Sequence, residues 1–472
     1  MFASFSALSV RGRGAARLAA VTMVSGLAAG VLATAGPAVA AGTGAVRGQG
    51  GATATMGGLE TYGTAVLHTD EGDQEISAGL FEMSVEGGGT LQTYCVDIQN
   101  PTQKDAKYHE TPWSGTSLGA NDDAGRIRWI LQNSYPQVND LAALARRAGI
   151  DSGLSEQDAA AGTQVAIWRY SDGADVEAAD PQAEKLADHL EKSARDAAEP
   201  GASLTLDPSA LSGHPGELLG PVTVHTNADS VTVAPPADAE TSGVRIVGKD
   251  GEDVTTARDG SELFLAVPED ADDGSTEVTL QASTTVPVGR AFASESRSQT
   301  QILAGSSAST VSATASATWA ATGAIPALSA KENCAEGAVD ITAVNEGDAP
   351  FVFELMGVEH SIAAGESETV SVPLQEDQAY DFTITGPGGY DQRFAGVLDC
   401  LTRTDEAEQA GDSPQLLAEP SPATVGSTDA DVNLAATGSS SATPLIGGAA
   451  IALVVIGGAA LVLVRKKKTP QD

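Results

Sequence analysis

The chain has 472 residues, enough for about three domains of ordinary size. Its 63 acidic side chains outnumber 26 basic ones, which gives a formal net charge of −37. Binding to nucleic acid requires basic surfaces, so this charge argues against nucleic-acid partners. It favours solubility and says little about the fold.

The first 40 residues have the three parts of a secretory signal peptide. Arg11, Arg13 and Arg17 precede an apolar run at 18–33, and small residues lead up to Ala40. A first membrane span is the alternative interpretation. Because the run is short and rich in Ala and Gly, we predict cleavage after Ala40 and secretion of the rest of the chain.

The region 57–199 is predicted to mix strands with helices, as an α+β domain does. Strand-like runs come first, at 61–69, 76–85 and 90–98. Helical segments follow at 126–132, 140–148, 155–170 and 181–198. In the third run, Cys95 points to the face opposite Tyr94 because side chains alternate along a strand.

One primary amide is predicted to lie inside the packing of a helix. Ser155 and Asp158 form a candidate capping box that starts this helix. Along it, Gln164 shares a face with Val165 and Trp168. A buried amide without partners costs about 1–3 kcal/mol. The sequence therefore calls for a group that binds the Gln164 amide or a reaction that consumes it.

Two short motifs carry a family resemblance. Tyr94-Cys95-Val96-Asp97 comes first, and TQVA at 163–166 follows, with Ile167 and Trp168 directly after it. In this order the motifs resemble the Cys–Gln thioester-forming (TQxA) domains of Gram-positive surface proteins. The resemblance implies that Cys95 and Gln164 form an internal thioester, which captures an amine on a surface protein or matrix target. It implies covalent binding without turnover, so no enzyme activity, no catalytic residue and no cofactor.

Four neighbouring residues are candidates for supporting the thioester. Trp168 and Tyr94 are expected to form apolar walls that exclude water, while Thr163 and Asp97 are expected to orient the carbonyl or to relay protons. The same residues also fit ordinary roles as core aromatics, a helix-interior hydroxyl and a strand-end carboxylate.

Two other functions would use Cys95 differently. A cysteine hydrolase would need a histidine, and His109 is the nearest in sequence, but it lies in a polar run typical of a solvated loop. A passive structural or adhesive surface protein would keep Cys95 as a free thiol. The sequence has no CxxC pair and no His and carboxylate spacing typical of a metal site.

From residue 202 onward, short β-prone runs are separated by Gly, Pro, Asn and Asp. They predict an immunoglobulin-like sandwich over 202–319, with its last strand at 300–303, and a smaller all-β domain over 324–402. Cys334 and Cys400 bracket the smaller domain and are predicted to form a disulfide. The fold class is therefore multidomain, with an α+β thioester domain followed by two all-β stalk domains.

The C-terminal region resembles a sortase anchor. An acidic, aperiodic segment at 403–433 is predicted to be a disordered linker. LAATG at 434–438 then resembles the LAxTG sorting signal, and an apolar span at 444–464 and a basic tail complete the segment up to 472. The resemblance implies that a sortase cuts between Thr437 and Gly438 and joins the chain to peptidoglycan after transient membrane attachment. The LAxTG form and the richness in Ala and Gly indicate an actinobacterium. A plain single-pass membrane protein is the alternative.

Overall fold

The computed structural model describes residues 50–401. The predicted signal peptide with Ala40, the linker at 403–433 and the sorting region at 434–472 with Thr437 and Gly438 lie outside these residues. Between residues 50 and 401, no helix has both the length and the apolar character that crossing a membrane requires.

The first part of the described chain contains both strands and helices, in agreement with an α+β domain. In chain order they are β1 (Thr53–Thr69), β2 (Gly72–Val85), β3 (Thr90–Cys95), β4 (Lys107–Thr111), α1 (Ala124–Asn133), α2 (Leu141–Arg147), α3 (Glu156–Ser171), β5 (Val176–Ala178) and α4 (Pro181–Ser193). Strand β1 begins before the predicted boundary at residue 57, and β4 has no counterpart among the predicted strands.

Helix α3 lies at the centre of this region. The predicted capping box is confirmed, because the Ser155 hydroxyl accepts from the backbone N–H of Asp158 and the Asp158 carboxylate accepts from that of Ser155. The helix is buried on all sides over residues 159–168, since β1 and β2 pack against one side and α4 against another. Its small residues allow this close approach: a Cβ at Gly162 would lie 2.4 Å from the carbonyl oxygen of Ala183.

The second part of the chain is rich in β-structure. It contains β6 (Leu204–Asp207), β7 (Ala210–Gly213), β8 (Leu218–Thr226), β9 (Val231–Val233), a short helix α5 (Ala239–Ser242), β10 (Arg245–Val247), β11 (Thr256–Ala257), β12 (Glu262–Ala266), β13 (Gly274–Thr284), β14 (Ala291–Ser294), β15 (Gln301–Ser306) and β16 (Ser309–Trp319). Two sheets form within it, in the orders β10-β12-β8-β6 and β11-β9-β13-β16-β7. Strand β7 runs parallel to β16.

Strands β14 and β15 join a different sheet. They lie in the sheet that contains Cys95, whose order is β2-β3-β15-β14-β4-β1-β5. Strand β15 is antiparallel to β3, and β14 is antiparallel to β4. The structure thus corrects the assignment of 300–303 to the sandwich. Without this hairpin, the buried strand β3 would have an open edge of unpaired backbone groups, which is costly away from water.

The third part has a core of its own. It contains β17 (Pro326–Asn333), β18 (Ala338–Asn345), β19 (Phe351–Leu355), β20 (Val358–Ile362), β21 (Glu366–Pro373), β22 (Gln378–Thr385) and β23 (Asp391–Leu398). Strands β17, β18 and β21 form one sheet, and two hairpins complete the region. Phe351 and Phe394 are fully buried in this core. The predicted disulfide between Cys334 and Cys400 is confirmed.

Candidate functional site

The structure brings Cys95 and Gln164 together through two reciprocal hydrogen bonds. The backbone N–H of Cys95 donates to Oε1 of Gln164 at 3.0 Å. The side-chain Nε2 of Gln164 donates back to the carbonyl oxygen of Cys95 at 2.9 Å. The partner that the buried amide requires is therefore the main chain of the cysteine itself. The two residues come from the end of β3 and the middle of α3, 69 positions apart in the chain.

The carboxylate of Asp172 connects the segment after β3 to the end of α3. Asp172 lies directly after α3, and its Oδ1 accepts from the backbone N–H of Ile98 at 2.9 Å, just beyond β3. Its other oxygen accepts from the Ser171 hydroxyl. Burial raises the pKa of Asp172 well above its ordinary value, and the nearby charge of Asp97 raises it further. The loop after Cys95 is thereby held against the end of the helix that carries Gln164.

The Cys95 thiol is enclosed by protein. Cys95 is 2% exposed and Gln164 is fully buried. Burial raises the pKa of the Cys95 thiol to about 12, although hydrogen bonds from Gln301 and Thr102 partly offset this effect. Cys95 is not part of the disulfide. The thiol is therefore protonated at neutral pH, and an attack by the sulfur must be accompanied by the transfer of its proton.

Two polar side chains contact the sulfur, and a third binds one of these two. The Nε2 of Gln301 donates to Sγ of Cys95 at 3.3 Å, and the Thr102 hydroxyl lies 3.6 Å from the same sulfur. Gln299 does not bond the sulfur but donates to Oγ1 of Thr102 at 2.7 Å. Both glutamines belong to the segment that leads into or begins β15, so the surroundings of the thiol depend on the inserted hairpin.

This geometry suits an acyl-transfer reaction at the Gln164 side chain. The Cys95 N–H that binds Oε1 polarises the carbonyl, and it is also placed to stabilise negative charge on that oxygen in a tetrahedral intermediate. The nucleophilic sulfur belongs to the same residue as the donor. The site therefore combines a nucleophile, an electrophilic carbon and an oxyanion donor in a position from which water is excluded.

Comparison with protein families identifies this region. The sequence profile of the thioester-domain family matches residues 92–196, a range that includes both Cys95 and Gln164. Residues 92–196 form a thioester domain. Such domains are typical of extracellular surface proteins, so the match agrees with the predicted secreted, cell-surface location at that level.

A second family profile matches a later part of the chain. Residues 311–397 match the profile of the C-terminal domain of bacterial phospholipase C. A comparison with curated protein sequences finds no significant match.

Among solved structures, the Bacillus anthracis TIE protein is similar at 15% identity and a TM-score of 0.27, over 74% of this chain and 64% of that one. This chain thus spans less than two thirds of that chain's length. The thioester domain of the Enterococcus faecium TIE86 protein is similar at 15% identity and a TM-score of 0.27, over 59% of this chain and 99% of that one.

Tyr94 and Trp168 are buried in the core of the thioester domain. Tyr94 is fully buried, and its hydroxyl donates to the carbonyl oxygen of Tyr135 at 2.9 Å. Trp168 is 2% exposed and follows Gln164 by four residues, so the two side chains are neighbours on one face of α3. Among the described residues, the Trp168 Nε1 has no hydrogen-bond partner. Both aromatic residues remain candidates for excluding water.

The polar groups of Thr163 and Asp97 are directed elsewhere. The Thr163 hydroxyl donates to the carbonyl oxygen of Ala159 at 2.6 Å and lies 2.7 Å from the hydroxyl of Ser134. The Asp97 carboxylate accepts from the backbone N–H of Gln99 and the side-chain amide of Asn100. Burial raises the pKa of Asp97 to about 6. The hydrogen bonds found for these two side chains thus do not reach the Cys95 thiol or the Gln164 amide.

His109 does not pair with Cys95. Its Nε2 lies 2.6 Å from Oε1 of Glu295, and its Nδ1 lies 3.2 Å from Oγ1 of Thr53. It is held on β4 in the sheet, where it is opposite Thr53 and Ala293. The geometry therefore gives no support to a Cys–His nucleophile pair built from these two residues.

One acidic cluster lies outside the thioester site. Carboxylate oxygens of Glu376, Asp377 and Asp399 are within 4.8 Å of one another. The Oε1 of Glu376 already accepts two backbone N–H groups, from Cys400 and Leu401. Acidic clusters are common without an ion, so this arrangement alone does not establish a metal site.

The sequence patterns did not identify Gln301 and Thr102 as members of the site, nor Gln299 as the neighbour of Thr102. Gln301 is fully buried and Gln299 is 2% exposed, although both lie in a polar run that suggests a surface loop. The available signal was the presence of two amides two residues apart in a β-prone segment, which places both on one face of a strand. Nothing in that signal connects the segment to Cys95.

Proposed function

We propose that this chain is a cell-wall-anchored surface adhesin that forms an internal thioester between Cys95 and Gln164 and uses it to capture amines. The observation that carries the proposal is the reciprocal pair of hydrogen bonds between the Cys95 main chain and the Gln164 side chain. Holding reacting groups in position can lower a reaction barrier by about 7–11 kcal/mol. Such a reduction is needed here because an amide is more stable than the thioester formed from it.

Thioester formation is an acyl transfer within the protein. The Cys95 sulfur attacks Cδ of Gln164, and the Cys95 N–H stabilises the oxygen of the tetrahedral intermediate. The bond from Cδ to Nε2 then breaks. Nitrogen leaves as ammonia with the proton that the thiol gives up, and no external oxidant or cofactor takes part. Burial keeps out water, which would otherwise hydrolyse the thioester and leave a glutamate at position 164.

Capture of a target is a second acyl transfer. A neutral amine, such as that of a lysine on another protein, attacks the acyl carbon of residue 164. The bond to sulfur breaks, the Cys95 thiol is restored with a proton from the amine, and an amide joins residue 164 to the target. Each molecule reacts once, so the outcome is attachment without turnover.

The remaining regions fit presentation of this domain at a cell surface. We propose that the β-rich regions at 202–319 and 324–402 act as immunoglobulin-like stalk domains, although β14 and β15 belong to the sheet of the thioester domain. Sortase would cleave between Thr437 and Gly438 and join Thr437 to peptidoglycan. A Thr437→Ala variant is then expected to stay in the membrane fraction, whereas the wild-type chain is released only by digestion of the cell wall.

The decisive experiment is the intact mass of the secreted protein under denaturing, non-reducing conditions, before and after methylamine. A thioester makes the protein one ammonia lighter than its disulfide-corrected sequence, and methylamine raises the mass by one methylamine. Peptide mapping should place the modification at residue 164. The Cys95→Ala variant is the control, because it should fold, keep the full sequence mass and capture no amine.

A full sequence mass for the wild-type protein, with Cys95 open to thiol reagents, would contradict the proposal. The chain would then be a passive surface protein with a free thiol. Turnover of peptide or peptidoglycan substrates by the secreted protein would instead indicate a hydrolase. Mapping of the ammonia loss to Gln301 rather than Gln164 would also contradict the assignment, since both amides lie beside Cys95.

A further inference from the structure

A second glutamine lies opposite the cysteine on the neighbouring strand. Gln301 is the first residue of β15 and pairs directly with Cys95 in the antiparallel register, so their side chains lie on the same face of the sheet. Its Nε2 donates to the Cys95 sulfur at 3.3 Å. Its Oε1 accepts from the Thr93 hydroxyl at 2.9 Å. Because Thr93 binds the oxygen, the N–H end of the amide faces the sulfur.

We propose that Gln301 is a positioning residue of the thioester, which orients the Cys95 sulfur and stabilises negative charge on it. This inference rests on the proposed function. When an amine attacks the acyl carbon of residue 164, the electron pair of the breaking bond goes to sulfur, which then takes a proton from the amine. An N–H aimed at the sulfur stabilises that charge while it develops.

The burial of the site makes this donor necessary. The apolar surroundings that protect a thioester from water also disfavour a thiolate, which is the leaving group in amine capture. Thr102 is the other hydrogen-bonding neighbour of the sulfur, at 3.6 Å, and Gln299 binds its hydroxyl. Gln301 makes the shorter contact and is fixed at both ends of its amide.

This donor comes from a segment outside the range that matches the family profile. The profile covers residues 92–196, whereas Gln301 arrives on a hairpin that follows most of the second region. Its place is fixed independently of the thiol by backbone pairing of β15 with β3 and of β14 with β4. In this chain, therefore, two separate segments form the environment of the reactive sulfur.

The test compares substitutions of two neighbouring buried glutamines in the full-length secreted protein. Gln301→Met keeps the size of the side chain and removes the donor to sulfur. Gln299→Met makes the same chemical change at a residue that contacts Thr102 but not Cys95. Two quantities are measured by intact mass: the fraction of molecules that carry the thioester, and the rate of its opening by methylamine across a range of pH. We expect Gln301→Met to lower the opening rate about tenfold or more, as the loss of a hydrogen bond to a charged group does, and Gln299→Met to change it less than about threefold.

A second readout separates positioning from a general effect on folding. After methylamine has opened the thioester, the freed Cys95 thiol is alkylated over a range of pH. The pH midpoint of alkylation should rise in Gln301→Met and stay unchanged in Gln299→Met. Gln301→Glu serves as a second variant, because it keeps an acceptor for Thr93 and places a carboxylate oxygen beside sulfur. Its midpoint should rise further.

The outcomes distinguish this proposal from the one on which it rests. If the wild-type protein shows no ammonia loss, the proposed function fails and this inference falls with it. If the wild type forms the thioester, then equal opening rates and equal alkylation midpoints in all variants would overturn the role of Gln301 alone. Loss of the thioester in Gln301→Met but not in Gln299→Met, with both proteins folded, would support positioning during formation as well.

Discussion

The guanidinium of Arg290 donates from Nε to Oε1 of Glu110 at 3.0 Å, with side-chain exposures of 5% and 0%. The same Glu110 carboxylate accepts the backbone N–H groups of Ala52 and Ser203. Arg290 also donates to Glu199 at 2.8 Å. This buried cluster therefore joins the first few described residues, β4, the segment between the first two regions and the residue before β14.

Breaking this ion pair should destabilise the protein strongly. Glu110→Ala leaves the buried Arg290 Nε without its acceptor and removes the acceptor of two buried N–H groups, so we expect a loss of about 3–5 kcal/mol in the free energy of unfolding. Urea denaturation of the folded protein measures the change. Asp253→Ala, in the exposed pair with Arg245, is the control and should cost less than about 1 kcal/mol. Equal losses in the two variants would contradict the structural role of the cluster.

The contact between α3 and α4 at Gly162 should not tolerate a side chain. A Cβ there would lie 2.4 Å from the carbonyl oxygen of Ala183, so the helices must separate. We expect Gly162→Ala to destabilise the protein by about 1–3 kcal/mol despite the better helix propensity of alanine. Differential scanning calorimetry measures the shift in Tm. Gly201→Ala is the control, since a Cβ at Gly201 meets nothing within 4 Å. Its Tm should remain within about 2 °C of the wild type. A normal Tm for Gly162→Ala would show that the helices can move apart freely.

Thr163 should matter for stability rather than for the thioester. Its hydroxyl is committed to Ala159 and Ser134, so Thr163→Val should lower the free energy of unfolding by about 1–3 kcal/mol because a buried hydroxyl loses its partner. The fraction of molecules that carry the thioester, measured by intact mass, should match the wild type. A folded Thr163→Val protein with the full sequence mass would instead indicate that Thr163 takes part in thioester formation.

Stability should fall as pH rises because of Asp399. Burial is the main cause that raises the pKa of Asp399 to about 8, and the charge of Asp97 adds to it. The folded state therefore holds this proton more tightly than the unfolded chain, whose aspartates titrate near pH 4. The contribution of Asp399 is thus fully favourable below about pH 4 and is lost as pH increases through about 8.

The Asp399→Asn variant isolates this contribution. Asparagine can still accept from the Thr300 hydroxyl, which binds Oδ2 of Asp399 at 2.9 Å, but it does not titrate. The wild type should lose stability relative to the variant between about pH 4 and pH 8, measured by urea unfolding at several pH values. Parallel stability curves for the two proteins over this window would refute the assignment.

Local sequence patterns predicted the parts of the site that depend on local structure. The capping box of Ser155 and Asp158 fixed the start of α3, and the spacing along that helix placed Gln164 inside the core. Such local patterns did not predict which side chains surround the Cys95 sulfur. Gln301 reaches Cys95 through pairing across 206 positions of the chain, and its polar neighbours resemble a loop until β14 and β15 enter the first sheet. Long-range strand pairing depends on the whole tertiary structure and leaves no local periodicity.

Because β15 pairs with β3, the sheet around Cys95 can be completed only after a much later part of the chain has been synthesised. A chain grows from its N-terminus at about 5–20 residues per second, so the 206 positions between Cys95 and Gln301 correspond to a delay of about 10–40 s. Gln164 follows Cys95 by 69 positions, so over the last 137 of the 206 positions (206 − 69) both residues exist, but the strand that closes the sheet beside the sulfur has not been made. A fragment that ends between residues 164 and 301 likewise contains both Cys95 and Gln164 and lacks β15. The sheet that encloses the proposed thioester is therefore complete only after residue 301 has been made.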